Sequence, residues 1–294
     1  MRILITGASG MLGSSLAVEL SKSHEVFGTG NTKMNLPFSY KPFNLSNKSY
    51  NELIEWSNPD LIIHCAALTD GNYCENNVLE AFDINGYSMK KLLNSSDEKV
   101  KIIYISTDAV FPSKLHMARE SDFTSPENVY GKSKELGEFF LMNCEREFLI
   151  IRTTIVGLNS YTNNKGFLEW IIGSSKLNKK ISLFDDVLFT PISIWDLINE
   201  IKFLVNLNEY KFKILHITGN ECLTKYKFGI ELLKKLSIDV NFVDKGFISN
   251  FADRAKRSND QTLSIEIYEK LYNRSLPKFK ETLESIKKGY NEIN

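Results

Sequence analysis

Tyr130 and Lys134 stand four residues apart at the opening of a stretch with helical spacing, and Thr107 closes an apolar run before them. Residues four apart share one helix face, so the phenol and the ammonium can converge. Near the N-terminus, Gly7, Gly10 and Gly13 follow the apolar segment Ile3-Leu4-Ile5-Thr6 and precede a helical stretch. Glycines at a first strand-to-helix turn let backbone N–H groups approach a pyrophosphate at the helix N-terminus, the geometry of dinucleotide binding. Their spacing departs from the G-x-G-x-x-G dehydrogenase fingerprint. Together the two constellations describe hydride transfer at a carbonyl, with a nicotinamide as hydride carrier and Tyr130 as proton shuttle. An ordinary phenol, with a pKa of about 10, shuttles protons poorly near neutrality; bringing it to about 7 takes roughly 4 kcal/mol of preferential phenolate stabilisation. Lys134 and a positively charged nicotinamide can supply that together, while Thr107 hydrogen-bonds the carbonyl oxygen.

The spacing Y-x-x-x-K recurs at Tyr87/Lys91 and Tyr161/Lys165 in a chain with 12 tyrosines, and about one match is expected by chance. Tyr130/Lys134 stands apart because it opens a helix that follows a buried strand. The other two read as a solvated helix face or a loop. An acidic residue roughly 20 positions beyond the glycines would hold an NAD ribose, and none stands there. Asn31, Thr32 and Lys33 follow the second strand instead and can donate to a 2′-phosphate. The cofactor therefore reads as NADPH, with NADH the alternative; the same three residues also suit a plain polar loop.

Apolar runs at Arg2–Thr6, Glu25–Gly28, Leu61–Ala66, Lys101–Ser106 and Phe148–Val156 alternate with helical stretches at Leu12–Ser21, Tyr50–Ser57, Asn77–Asn94 and Val129–Glu145. The alternation predicts an α/β fold: a Rossmann-type doubly wound parallel sheet covered by helices on both faces. Beyond Gly157 it loosens into a polar Asn159–Lys165 stretch, a helix near Phe167–Ser175 and a terminal Pro277–Ile286 helix. Ile192–Leu207 and Ile214–Thr218 read as a helix and a strand returning to the sheet. The expected division is a dinucleotide-binding domain of 1–157 plus about 190–218, and a smaller discontinuous α/β substrate lobe of about 158–189 plus 219–294.

A chain of 294 residues with 43% hydrophobic content can bury a sizeable core. Lys plus Arg balance Asp plus Glu at 36 each, so there is no global positive field for nucleic acid or an anionic membrane. A small-molecule partner is expected instead. Cys65, Cys74, Cys144 and Cys222 form no C-x-x-C pair, and no apolar leader precedes the first strand, which suits a cytoplasmic location. His64 and Cys65 read as core residues rather than metal ligands, no metal site is expected, and Trp56, Trp170 and Trp195 read as packing anchors. Homodimerisation is a base-rate expectation.

The chain resembles the extended short-chain dehydrogenase/reductases, and within them the dTDP-4-dehydrorhamnose reductase group of nucleotide-sugar reductases. The resemblance runs through T-G-A-S-G-M-L-G at Thr6–Gly13, C-A-A-L-T at Cys65–Thr69, Y-I-S-T-D-A-V-F at Tyr104–Phe111 and P-E-N-V-Y-G-K-S-K-E-L-G-E at Pro126–Glu138. Ile151-Arg152-Thr153, Thr190-Pro191 and Arg257 ahead of Leu263 match later landmarks more loosely. It implies that Thr107, Tyr130 and Lys134 are catalytic, with Tyr130 the proton donor. It also implies that Gly7, Gly10, Met11, Leu12 and Gly13 line the pyrophosphate, that Ala66 and Ala67 pass beside the cofactor, and that Lys134 contacts the nicotinamide ribose. Thr69, Asp108, Thr154 and Ile155, with Arg257, form the substrate side by the same resemblance, and Asn85 supports a proton relay there.

The resemblance implies NADPH-dependent reduction of the 4-keto group of a nucleotide-linked deoxysugar, in precursor supply for a surface polysaccharide. An epimerase or dehydratase of the same superfamily is the nearest alternative, and a non-catalytic NADP-binding regulatory subunit, as in methionine adenosyltransferase, is the other. The family's pattern is altered around the substrate. Ile155 replaces an aromatic residue, Val187-Leu188-Phe189 a Gln-x-Gly segment, Ser258 the proline after Arg257, and Asn72 an acidic residue.

Overall fold

The computed structural model of the protein describes residues 1–161, 166–250 and 255–293. Its frame is a seven-stranded parallel sheet. Six of the strands are β1 (Arg2–Thr6), β2 (Glu25–Gly30), β3 (Ser39–Pro42), β4 (Leu61–His64), β5 (Lys101–Thr107) and β6 (Phe148–Thr153); Ile214–His216 is the seventh. Across the sheet the order is Ile214–His216, β6, β5, β4, β1, β2, β3. The direction of winding reverses between β1 and β4, and the carboxyl ends of strands beside such a switch point open the crevice in which α/β proteins bind ligands. Register brings those ends level: Thr6 pairs with His64, His64 with Tyr104, and Thr107 with Thr153.

Alternate residues of a strand point to opposite faces, and each face has its own core. Ile3 and Ile5 pack with Leu16, Leu20, Leu197 and Ile201 on one side. Leu4 packs with Leu53, Leu92 and Leu141 on the other. Strands buried on both faces carry unbroken apolar runs, which is why β1, β4, β5 and β6 are legible without alternation. β3 is not, because it lies at the sheet edge with half-exposed residues and Pro42 as its last member.

Three predicted elements are divided. The run Phe148–Val156 leaves the main sheet after Thr153, and Ile155–Val156 pairs with Ile192–Ser193 instead. The helix expected from Ile192 begins at Ile194, where the Ser193 hydroxyl accepts from the Asp196 N–H and caps it. The helix expected over Asn77–Asn94 is Val78–Phe82, a turn of π-helix over Asp83–Tyr87, and Ser88–Ser95. The terminal helix is longer than expected, Phe279–Ile293.

Small pairings follow β6 in the chain. Leu188–Phe189 pairs antiparallel with Leu223–Thr224 and parallel with Asp260–Gln261, and Ile181–Phe184 pairs with Val243–Gly246. Leu168, Ile171, Leu183, Phe228 and Ile286 share a further buried cluster. No helix among the described residues is long and apolar enough to cross a membrane.

Candidate active site

The turn after β1 is built for close backbone approach. Gly7 has φ of 71°, and a Cβ there would lie 2.7 Å from the Ala66 backbone. A Cβ on Gly13 would lie 2.2 Å from the Gly7 carbonyl oxygen, so this helix can pack against the turn only as glycine. Gly10 caps the Met11–Leu20 helix without a side-chain acceptor, leaving its first N–H groups for an anion.

A cavity of about 320 Å³ runs along the ends of β1, β2 and β4, lined among others by Gly7, Gly10, Asn31, Leu45, Ala66 and Ala67. Thr32 and Lys33 continue from Asn31 as exposed residues, and the Tyr40 hydroxyl donates to the Thr32 carbonyl at 2.6 Å. No carboxylate stands at the end of β2, and a Cβ on Gly30 would lie 2.3 Å from the Ser9 hydroxyl. The glycine cradle and the uncharged end of β2 fit a phosphorylated dinucleotide. Leu12 differs from its expected place: its side chain is buried in the core, so only its backbone can serve a pyrophosphate. Ser9 of the glycine turn, Phe43 to Ser46 and Leu68 from loops, and Glu80 of the Val78–Phe82 helix also line the cavity; none of them is assigned from the sequence.

Thr107 ends β5. Its hydroxyl accepts from the Ala109 N–H at 3.2 Å and donates to Asp108 at 2.9 Å. The other Asp108 oxygen accepts from the Thr154 hydroxyl at 2.7 Å, a bond made at the residue where the predicted strand divides. Tyr130 lies in the first turn of the Val129–Met142 helix, whose cap is Asn128, accepting from the Gly131 N–H at 2.8 Å. Thr107 faces the Tyr130 phenol. One turn on, Lys134 is 2% exposed, with its ammonium 4.0 Å from the centroid of the Tyr104 ring.

The acid–base balance differs from the expectation. Burial raises the Tyr130 phenol above its ordinary value, opposed by the Thr107 hydrogen bond and reinforced by Asp108. Lys134 is not among the groups acting on it. The lysine itself is drawn down to about 7 by burial, against the pull of Glu138 and Cys65. In the protein alone Tyr130 is thus held as a neutral acid, the protonation state a proton donor needs. The lowering toward neutrality read from the sequence is absent, because desolvation raises the phenol and the Thr107 hydrogen bond is the one group that lowers it.

Asn85 also departs from its expected place. It is fully buried; its amide accepts from the Leu68 N–H at 2.7 Å and donates to the Leu68 carbonyl at 3.0 Å and to Ser133 at 2.9 Å. Its side chain clamps the loop after β4, with both amide hydrogens committed to protein acceptors. Ser133, which passes a hydrogen bond to the Tyr130 carbonyl at 2.8 Å, and Tyr104 had no signal in spacing. Thr69 is exposed, Ile155 is half-buried against the main core, and Arg257 is exposed with its guanidinium 6.0 Å from the Phe184 ring.

His64 is buried, bonded to Thr6 at 2.6 Å and Ser88 at 3.1 Å, and held neutral. Of the other Y-x-x-x-K pairs, Lys91 is bonded to Asp83 at 2.7 Å while Tyr87 is 45% exposed, a surface pair. Lys165, with residues 162–164 before it, lies outside the described residues.

A doubly wound sheet with a glycine cradle and a Thr-Tyr-Lys set at its carboxyl edge defines a dinucleotide-binding α/β oxidoreductase. The family model described as RmlD substrate binding domain matches residues 1–291, and the chain belongs to that family. It is 28% identical over 279 residues to dTDP-4-dehydrorhamnose reductase of Aggregatibacter actinomycetemcomitans, with 90% of each chain covered. It is 26% identical over 241 residues to spore coat polysaccharide biosynthesis protein SpsK of Bacillus subtilis (strain 168), covering 81% of this chain and 80% of that one. The crystal structure of dTDP-4-dehydrorhamnose reductase from Bacillus anthracis str. Ames in complex with NADP superposes with a TM-score of 0.83 at 25% identity, covering 97% of this chain and 98% of that one.

Proposed function

We propose that the protein reduces the 4-keto group of a nucleotide-linked deoxysugar with NADPH, supplying a precursor for a surface polysaccharide. The observation that carries this reading is the convergence of Thr107, Tyr130 and Lys134 beside the dinucleotide cavity: Cys65 lines that cavity and also feels the Lys134 charge. Family membership and the NADP-bound relative support it. NADPH, when bound, supplies the hydride.

Tyr130 donates its phenolic proton to the carbonyl oxygen, and Thr107 stabilises the charge that develops there. Lys134, poised near neutrality by burial, holds the ribose and recharges the phenol. Gly7, Gly10, Met11, Leu12 and Gly13 bind the pyrophosphate through backbone, Asn31, Thr32 and Lys33 the 2′-phosphate, and Ala66 and Ala67 flank the cofactor. Thr69, Asp108, Thr154, Ile155 and Arg257 face the sugar. We read 1–157 with about 190–218 as the cofactor domain and about 158–189 with 219–294 as the substrate lobe; the shared core of Leu168, Phe228 and Leu283 supports the latter. The protein acts in the cytoplasm as a homodimer, which light scattering on the purified protein would test.

The decisive experiment follows NADPH consumption with dTDP-, GDP- and UDP-linked 4-keto-6-deoxysugars. One donor is expected to be turned over, and Tyr130→Phe to lose about 10²- to 10⁴-fold in kcat while still binding NADPH. Equal turnover by Tyr130→Phe would remove the proton-donor role. NADPH binding with no turnover of any donor would favour the regulatory-subunit reading, for which a retained proton shuttle has no chemical use.

A further inference from the structure

Lys225 opens the Lys225–Lys235 helix directly after Leu223–Thr224. That short strand pairs with Leu188–Phe189, and the Lys225 N–H donates to the Val187 carbonyl at 3.1 Å. The backbone is therefore fixed on both sides of the residue. Its ammonium lies 4.5 Å from the centroid of the Phe189 ring and 5.5 Å from that of Phe167, so aromatic faces replace water around much of it.

Among the described residues no acceptor hydrogen-bonds the Lys225 ammonium. The charges that act on it are the Asp108 carboxylate, which attracts it, and the Arg257 guanidinium, which repels it. Asp108 is already taken by the hydroxyls of Thr107 and Thr154. Lys225 is thus packed against two aromatic rings without a hydrogen-bond acceptor among the described residues, within the field of a second cation, Arg257. That arrangement is costly for the protein alone, and an anion received between the two cations relieves both the repulsion and the lost solvation.

We propose that Lys225, with Arg257 beside it, receives the diphosphate of the nucleotide-linked substrate. The inference rests on the reductase reading for the identity of that substrate. Lys225 is a binding residue here, not a proton carrier, so its removal is felt in substrate affinity rather than in the chemical step.

The test is calorimetric titration of the NADPH-loaded protein with dTDP, UDP and GDP, and with the corresponding nucleosides, in wild type, Lys225→Met and Lys225→Arg. At least one diphosphate is expected to bind wild type and to weaken by about tenfold or more in Lys225→Met. Lys225→Arg should keep most of the affinity, and nucleoside and NADPH binding should not change. In turnover, KM should rise while kcat moves by less than about twofold.

Undiminished diphosphate binding by Lys225→Met would overturn the proposal. So would an equal loss for nucleosides, which would mark a packing role, or wild type that binds no diphosphate. Tyr130-dependent turnover without Lys225-dependent diphosphate binding would defeat this inference alone. Lys225-dependent binding with no NADPH consumption would defeat the reductase reading alone.

Discussion

Burial draws the Lys134 ammonium down to about 7, so near neutrality the residue is close to half protonated. The consequence for stability has a definite sign. An unfolded lysine holds its proton up to about 10.4, whereas the folded protein releases it above about 7; between those limits the unfolded state binds more protons and stability rises with pH. Relative to Lys134→Met, wild type should therefore gain up to a few kcal/mol as pH rises from about 7 to about 10. Urea midpoints of both proteins at three pH values would read this directly, and parallel profiles would show that burial does not govern the lysine. The identities and spacing of Tyr130 and Lys134 were legible in the sequence. The direction of the Tyr130 shift was not, since it depends on desolvation by neighbours that only the fold brings there.

At the scale of elements, the π-helical turn Asp83–Tyr87 places Asn85 against the loop after β4. Its amide makes three hydrogen bonds, two to the Leu68 backbone and one to Ser133. Asn85→Ala leaves those buried groups without their partner, which costs about 2–4 kcal/mol in all. Because Ala66, Ala67 and Leu68 line the dinucleotide cavity, NADPH affinity should fall as well. Chemical denaturation and fluorescence titration would check the two effects, and an unchanged NADPH affinity would separate the clamp from the cavity. The helical character of this stretch was legible from its apolar spacing. The extra residue in the turn was not, because side-chain types hardly distinguish a π turn from an α turn; packing against the Val129–Met142 helix selects it. The division of the β6 run at Thr154 is similar: its residues favour strand throughout, and the bond to Asp108 and the new pairing partner decide where the sheet ends.

Over the whole molecule, His64 and His216 are both fully buried and pushed down to about 3 by desolvation. Each is neutral when folded and protonates near 6.5 when unfolded. Their contribution to stability is complete above about 6.5 and is lost as pH falls toward 3, at up to about 1.4 kcal/mol per pH unit for each histidine. The buried carboxyls Asp108 and Glu120, raised by burial, act in the opposite sense. His64→Gln should therefore flatten the acid limb of the stability curve between pH 6.5 and 4.5, and an unaltered limb would assign acid sensitivity elsewhere. The sequence by itself determined the parallel sheet, the glycine turn and the Thr-Tyr-Lys set, because doubly buried strands and close backbone contacts restrict residue type locally. Only the tertiary structure decided that Asn85 is a clamp, that burial raises the Tyr130 phenol, and that Lys225 lies within the field of Asp108. These depend on desolvation and on contacts between residues far apart in the chain, which no local pattern encodes.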